Sequence, residues 1–314
     1  MTAETTASSW APTADGVGAQ RSDPLTEARA GGRADLDLRP TRELVELINR
    51  EDASVAAAVA AAVPALAAAI DGIVDRLRRG GRLVYVGAGS SGRLAAVDAA
   101  ECGPTFGAPL EQVVAVVAGG IAALAVAQEA AEDDAEAGAS DLAAIGVGAG
   151  DAVVVLSASG RTPYVLGAAR AARASGALVV AVVCTEATEL GGLADHEVTA
   201  IVGPEVVVGS TRMKAGTAQK LILNTISTVS MIRLGKTYGD LMVDVVASNA
   251  KLRDRARRAV ADATGAGEAE AAAALEASGG EAKVAIVSLL AGLDAAAARA
   301  RLEAAGGAVR EALA

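Results

Sequence analysis

"LVYVGAGSSGRLAAVDAAE", Leu83 to Glu101, decides the fold. The apolar run Leu83–Val86 enters a glycine loop, and the loop enters a segment of helical composition. Strand, glycine loop and helix in that order open a parallel α/β unit. Gly87, Gly89 and Gly92 spell G-x-G-x-x-G, a pattern that lets backbone amides approach a phosphate. A dinucleotide site also requires an acidic residue at the end of the second strand, for the ribose hydroxyls. The second apolar run, Val113–Val117, ends instead in Ala118-Gly119-Gly120-Ile121, and Glu111 precedes the run, at its wrong end. With Ser90 and Ser91 inside it, the loop reads as a site for a smaller phosphate-bearing ligand.

Working outward, short β-branched runs recur at Arg82–Val86, Val113–Val117, Ala152–Leu156, Leu178–Val183 and Val198–Val202. They are almost continuously apolar, as strands buried on both faces are. Alanine-rich helical stretches long enough for crossovers separate most of them, so the fold class is α/β with a central five-stranded parallel sheet. Ligands of such sheets bind beyond the strands' carboxyl ends. Three polar loops stand there: the first around Ser90, Ser91 and Gly92; "SASGRTP" with Ser157, Ser159 and Thr162; and "GPEVVVGSTRMKAG" with Lys214. One serine loop is an ordinary N-cap or turn. Two such loops, each leading into a helix N-terminus, point to a bound anion.

The flanks divide the chain. Residues 1–24 are rich in Thr, Ser, Ala, Gly and Pro and are expected to lack fixed structure. Residues 25–72 read as helical, with Pro64 starting or kinking a helix, and 73–236 hold the α/β domain. From Thr211 onward no strand is expected: a long helix over "MKAGTAQKLILNTISTVSMIRLGKTYG", a connecting helix within 237–262, and three short helices in a small domain, 263–314.

The formal net charge of −10 argues against a nucleic-acid partner, which needs clustered Lys and Arg. His196 is the sole histidine, so a histidine triad or multi-histidine metal site is excluded, and the residue itself is expected on the surface or in a loop. Cys102 and Cys184 are far apart and read as buried reduced thiols. The apolar run Val55–Ile70 falls short of the ~20 residues a membrane span needs. The N-terminus lacks the basic start and apolar core of a signal peptide, so a cytoplasmic protein without membrane partner is expected. Glu101 and Glu132 ("QEAAEDD") read by residue type alone as solvated acids. Glu101 reaches the carboxyl end of the sheet only if its helix is short or bent.

"YVGAGSSGRLAAVDAAECGPTFG", "ASGRTPYVLGAAR", "GPEVVVGSTRMKAGTAQKLILN" and "LGKTYGDLMVDVVASNAKL" resemble the N-acetylmuramic acid 6-phosphate etherase family of the sugar isomerase (SIS) superfamily. The resemblance runs from about Leu25 to the C-terminus. It implies a three-layer SIS fold with a small ubiquitin-associated-type C-terminal domain of three helices. It implies a cytoplasmic homodimeric lyase, free of metal and cofactor, that cleaves the D-lactyl ether of a phosphosugar in cell-wall amino-sugar recovery. The family's catalytic pair falls on Glu101, as acid for the lactyl oxygen, and Glu132, as base at C2. Ser90, Ser91, Gly92, Ser157 and Ser159 fall at substrate-holding positions, and Lys214 adds positive charge or serves structure. Four departures stand out: Ile121 where the family has glutamate, Gly103 for proline, Ser90 for threonine and Asp240 for asparagine. A non-catalytic sugar-phosphate-binding regulator of the superfamily is the alternative, although such proteins usually carry two SIS domains in a longer chain. A sugar-phosphate isomerase is disfavoured by the segments around Glu101 and Glu132.

Overall fold

The computed structural model describes residues 25–31, 33–244 and 250–314. The expected tail, 1–24, lies outside the described residues. Five strands, β1 (Leu83–Gly87), β2 (Val113–Val117), β3 (Ala152–Leu156), β4 (Leu178–Val183) and β5 (His196–Thr199), form one parallel sheet in the order β2-β1-β3-β4-β5. Leu83 stands opposite both Val113 and Ala152, so the carboxyl ends of β1, β2 and β3 finish level.

Strand side chains alternate between two apolar cores, as the period of two requires. Leu83, Tyr85, Val154 and Val180 face the helices α2 (Val55–Ala61), α3 (Val63–Arg78), α4 (Gly89–Phe106) and α8 (Lys214–Arg233). Val84, Val86, Val153 and Val155 face α6 (Ala135–Ala144) and α7 (Pro163–Ala174). The result is three layers, with α1 (Thr41–Asp52) leading in and the short α5 (Ala122–Ala125) after β2. The chain bends 60° between Ala61 and Val63, where Pro64 sits in the first turn of α3 and its missing N–H costs nothing. No single described helix is long and apolar enough to cross a membrane.

The fifth strand begins two residues earlier than its apolar run. Its pairing with β4 starts at His196, which is half-buried in the strand rather than in a loop. An edge strand has one unpaired side, so the polar His196 and Glu197 are accommodated. After α8 the chain does not become uniformly helical. Thr237–Tyr238 (β6) and Leu241–Met242 (β7) form a two-stranded antiparallel hairpin around the left-handed Gly239, where a helix was expected for Leu241 onward. Part of that expected helix, 245–249, lies outside the described residues. The C-terminal helices α9 (Ala250–Thr264), α10 (Glu268–Ala277), α11 (Ala282–Ala291), α12 (Ala295–Ala304) and α13 (Val309–Leu313) share one core with Val243. The three short helices expected after residue 263 are therefore joined by a fourth, α13, whose Val309 and Ala312 are buried.

Candidate active site

A cavity of about 470 Å³ opens at the carboxyl ends of β1 and β3. Gly89, Ser90 and Ser91 form one wall; Ser157, Ser159 and Thr162 form the second; Gly209–Arg212 and Glu27 form the third; Gln128, Glu129 and Glu132 complete the rim. The two serine loops expected from the sequence thus meet.

Each loop is fixed by hydrogen bonds, local ones in the second and a long-range one in the first. The hydroxyls of Ser157 and Thr162 lie 2.9 Å apart, and the Gly160 amide donates to Ser157 Oγ at 3.0 Å. The Arg161 amide donates to Ser159 Oγ at 3.3 Å. Thr162 is the N-cap of α7 and Pro163 its first residue, so this helix directs its N-terminal amides and partial positive charge at the cavity. Ser91 Oγ donates to the buried Gln219 of α8 at 2.8 Å. Gly92 is buried, and a Cβ there would meet the Gly87 carbonyl and Val117; its bareness lets helix and strand close up.

The helix carrying Ser90 and Ser91 is locked by Asp98, which is buried and accepts hydrogen bonds from Tyr85 Oη (2.8 Å), Asn224 Nδ2 (2.6 Å) and Ser227 Oγ (3.0 Å). Strand β1 and helices α4 and α8 are thereby fixed around one carboxylate. Burial and Asp98 together push the Tyr85 hydroxyl well above its ordinary pKa, so it stays a proton donor.

Glu132 lies in the cavity. Its Oε1 stands 2.5 Å from where a Cβ on Gly89 would be, and Gly89 has a left-handed φ of 53°. Burial raises its carboxyl pKa, with Asp133 adding to the rise and Arg93 opposing it. Arg93 itself lines the cavity and donates to the Ala123 carbonyl at 2.9 Å.

Glu101 lies elsewhere. Helix α4 runs unbroken from Gly89 through Glu101 to Phe106, and Glu101 sits eleven positions after Ser90. At 1.5 Å per residue that is about 16 Å along the axis. It is exposed, on the same face as the exposed Val97 one turn earlier.

Lys214 also lies away from the cavity lining. It is buried, and its Nζ donates to Glu51 at 2.7 Å, an ion pair that Arg33 joins from the other side of Glu51. The Lys214 partner holds the Glu51 carboxyl below its usual range. The N-terminus of α8 already has its anion: the buried Glu205 carboxylate accepts from the Lys214 and Ala215 amides at 3.1 and 3.0 Å. The cations that do line the cavity are Arg93 and Arg212. Sequence inspection missed both, along with Glu27, Gln128 and Glu129. Arg212 stands two residues before Lys214 in the same motif, and nothing in residue type separates the one that lines the cavity from the one that does not.

Among the described residues, no group of three or more His, Cys, Asp or Glu side chains is placed to hold a metal. Cys102 and Cys184 are buried free thiols, each pushed up to about 12 by burial and hence inert. A larger cavity of about 1340 Å³ opens among α9, α10, α11 and α12. Several of its charged groups are paired, Lys236 and Lys283 with Asp244, Arg257 with Asp254, and Arg299 with Glu281.

Two family models match the chain: the glucokinase regulatory protein N-terminal SIS domain over residues 65–173, and the SIS domain over residues 122–228. The N-acetylmuramic acid 6-phosphate etherase of Rubrobacter xylanophilus is 61% identical over 269 residues, covering 86% of this chain and 89% of the relative. That of Streptomyces avermitilis is 54% identical over 289 residues, covering 92% and 93%. That of Mycolicibacterium smegmatis is 50% identical over 288 residues, covering 92% and 97%. With this identity sustained over nearly its whole length, the chain belongs to the N-acetylmuramic acid 6-phosphate etherase family.

Proposed function

We propose that the 470 Å³ cavity holds N-acetylmuramate 6-phosphate, with its phosphate between the two serine loops and its sugar toward Glu132. The protein is a carbon–oxygen lyase that cleaves the D-lactyl ether, giving N-acetylglucosamine 6-phosphate and D-lactate. The observation that carries the placement is the meeting of Ser90 and Ser91 with Ser157, Ser159 and Thr162 at the N-termini of α4 and α7, while the third helix end is filled by Glu205. Hydroxyls, helix-end amides and Arg93 and Arg212 suit a phosphate.

In the open-chain aldehyde, Glu132 removes the proton on C2. A carbon–carbon double bond forms between C2 and C3 as the C3–oxygen bond breaks. The departing lactyl oxygen takes a proton, and water then adds at C3. A base whose pKa burial has raised holds an abstracted proton more readily, which suits Glu132 to the first step. Glu101 is the acid for the lactyl oxygen. Because it sits about 16 Å along α4, the homodimer is the means by which it acts: each cavity uses the Glu101 of the other copy. The surface around Glu101 supports this assembly. Strand β2 is an unpaired sheet edge, and Val97, Leu110, Ile121, Leu124 and Val126, on the elements next to it in the chain, are exposed. A cytoplasmic location belongs to the same proposal.

Mixing the variants tests it. Glu101→Gln and Glu132→Gln proteins, each inactive alone, should regain D-lactate release when unfolded and refolded together, because a mixed dimer holds one intact site. Two variants that stay inactive together, in dimers shown to exchange, would sink the shared site. Wild-type protein that yields no D-lactate would sink the etherase function itself.

A further inference from the structure

Glu27 stands in the cavity without a role. It ends a single 3-10 turn, Leu25–Glu27, at the start of the described chain. The segment is pinned on both sides of it. Thr26 is buried, and Arg33 donates to the Glu205 carbonyl at 3.0 Å and pairs with Glu51. These are the same two glutamates that hold Lys214 and the α8 N-terminus. The N-terminal segment and the loop before α8 are therefore tied together as one wall.

Glu27 is seated on that wall as Glu132 is seated on its own. Glu27 Oε2 stands 2.8 Å from where a Cβ on Gly209 would be, and Gly209 has a left-handed φ of 73°. Two carboxylates thus lie over two left-handed glycines, on different walls of one cavity, and each occupies space that a side chain would take. The loop around Gly209 also contributes Ser210, Thr211 and Arg212 to the lining. A carboxylate accepts hydrogen bonds only, so what it recognises is a donor. The phosphate offers none in its dianionic form; the sugar offers hydroxyls and an acetamido N–H.

We propose that Glu27 is a substrate-contacting residue that accepts a hydrogen bond from a hydroxyl or the amide N–H of the bound amino-sugar phosphate. This rests on the etherase function proposed above. Glu27 orients the sugar while the serine loops hold the phosphate, so its effect is confined to ligands that carry a sugar.

Calorimetric titration of the full chain with N-acetylglucosamine 6-phosphate and with inorganic phosphate tests it. Glu27→Ala should weaken the sugar phosphate about tenfold or more, the loss of one hydrogen bond to a charged group. It should leave inorganic phosphate unchanged. Glu27→Gln keeps an acceptor oxygen and should retain part of the affinity; it also carries the test should Glu27→Ala fail to fold. Equal weakening of both probes, or undiminished binding of the sugar phosphate, overturns the inference. D-lactate release from N-acetylmuramate 6-phosphate by wild-type protein separates the two proposals. Its absence defeats the etherase function and leaves the titration standing. Its presence beside undiminished sugar-phosphate binding in Glu27→Ala defeats only the role of Glu27.

Discussion

Helices α7 and α8 both begin at the carboxyl end of the sheet, and their first turns meet opposite fates. The α7 end opens between Thr162 and Ser157 onto the cavity. The α8 end is closed by a buried glutamate from the preceding loop, with Lys214 turned inward onto a second glutamate. A helix N-terminus attracts an anion wherever it lies. Under the proposed placement, the phosphate takes the helix end whose amides are not already bonded to a buried carboxylate.

The contrast is sharpest where chemistry sits at the open end. Glu132→Gln should lower D-lactate release by about two to four orders of magnitude while the protein stays folded, the usual scale for a lost general base. The pH profile tests the same residue. A base acts when ionised, and burial raises its pKa, so the acid limb of the wild-type rate should rise at a pH above the ordinary 4.5 of a glutamate. Arg93 opposes that rise, so Arg93→Ala should move the limb further up. A limb that stays in place would remove Arg93 from the site's electrostatics.

Breaking the closed end should cost stability instead. Glu205→Ala leaves two buried amides without a charged acceptor, and thermal or denaturant unfolding should show a loss of about 3 kcal/mol. Ser157→Ala, at the open end, should cost only about 1 kcal/mol of stability, since it removes neutral bonds. It should weaken phosphosugar binding more than it weakens the fold. If the two variants lose stability alike, the two ends are not the opposites described.

The smallest effect concerns acid. The Lys214 ammonium holds the folded Glu51 carboxyl below its ordinary 4.5. The unfolded chain therefore takes up the proton first as pH falls, and the stability Glu51 adds is present above 4.5 and lost below it. Glu51→Gln should unfold less steeply with falling pH between neutrality and acid, from a lower starting stability.

Much of this was legible in the chain. The five strands were visible because strands buried on both faces carry unbroken apolar runs, and the two cavity-lining serine loops because glycine and serine cluster where those runs stop. The register of β5 was not, since its polar start at His196 depends on which edge of the sheet it occupies. The cavity's cations were not, since Arg212 and Lys214 are chemically alike and only the position of Glu205 and Glu51 decides which one turns inward. Glu27 was invisible for a different reason. It reaches the site from the far end of the chain, and no local pattern records a contact across about 180 residues.

That distance also sets an order of events. Arg33 meets Glu205 across 172 positions, so on the ribosome the segment bearing Glu27 emerges long before the wall it must join. Domains generally fold as units during synthesis. The contact between Arg33 and Glu205 can form only after residue 205 has been made, so the wall bearing Glu27 is completed by residues synthesised 172 positions later.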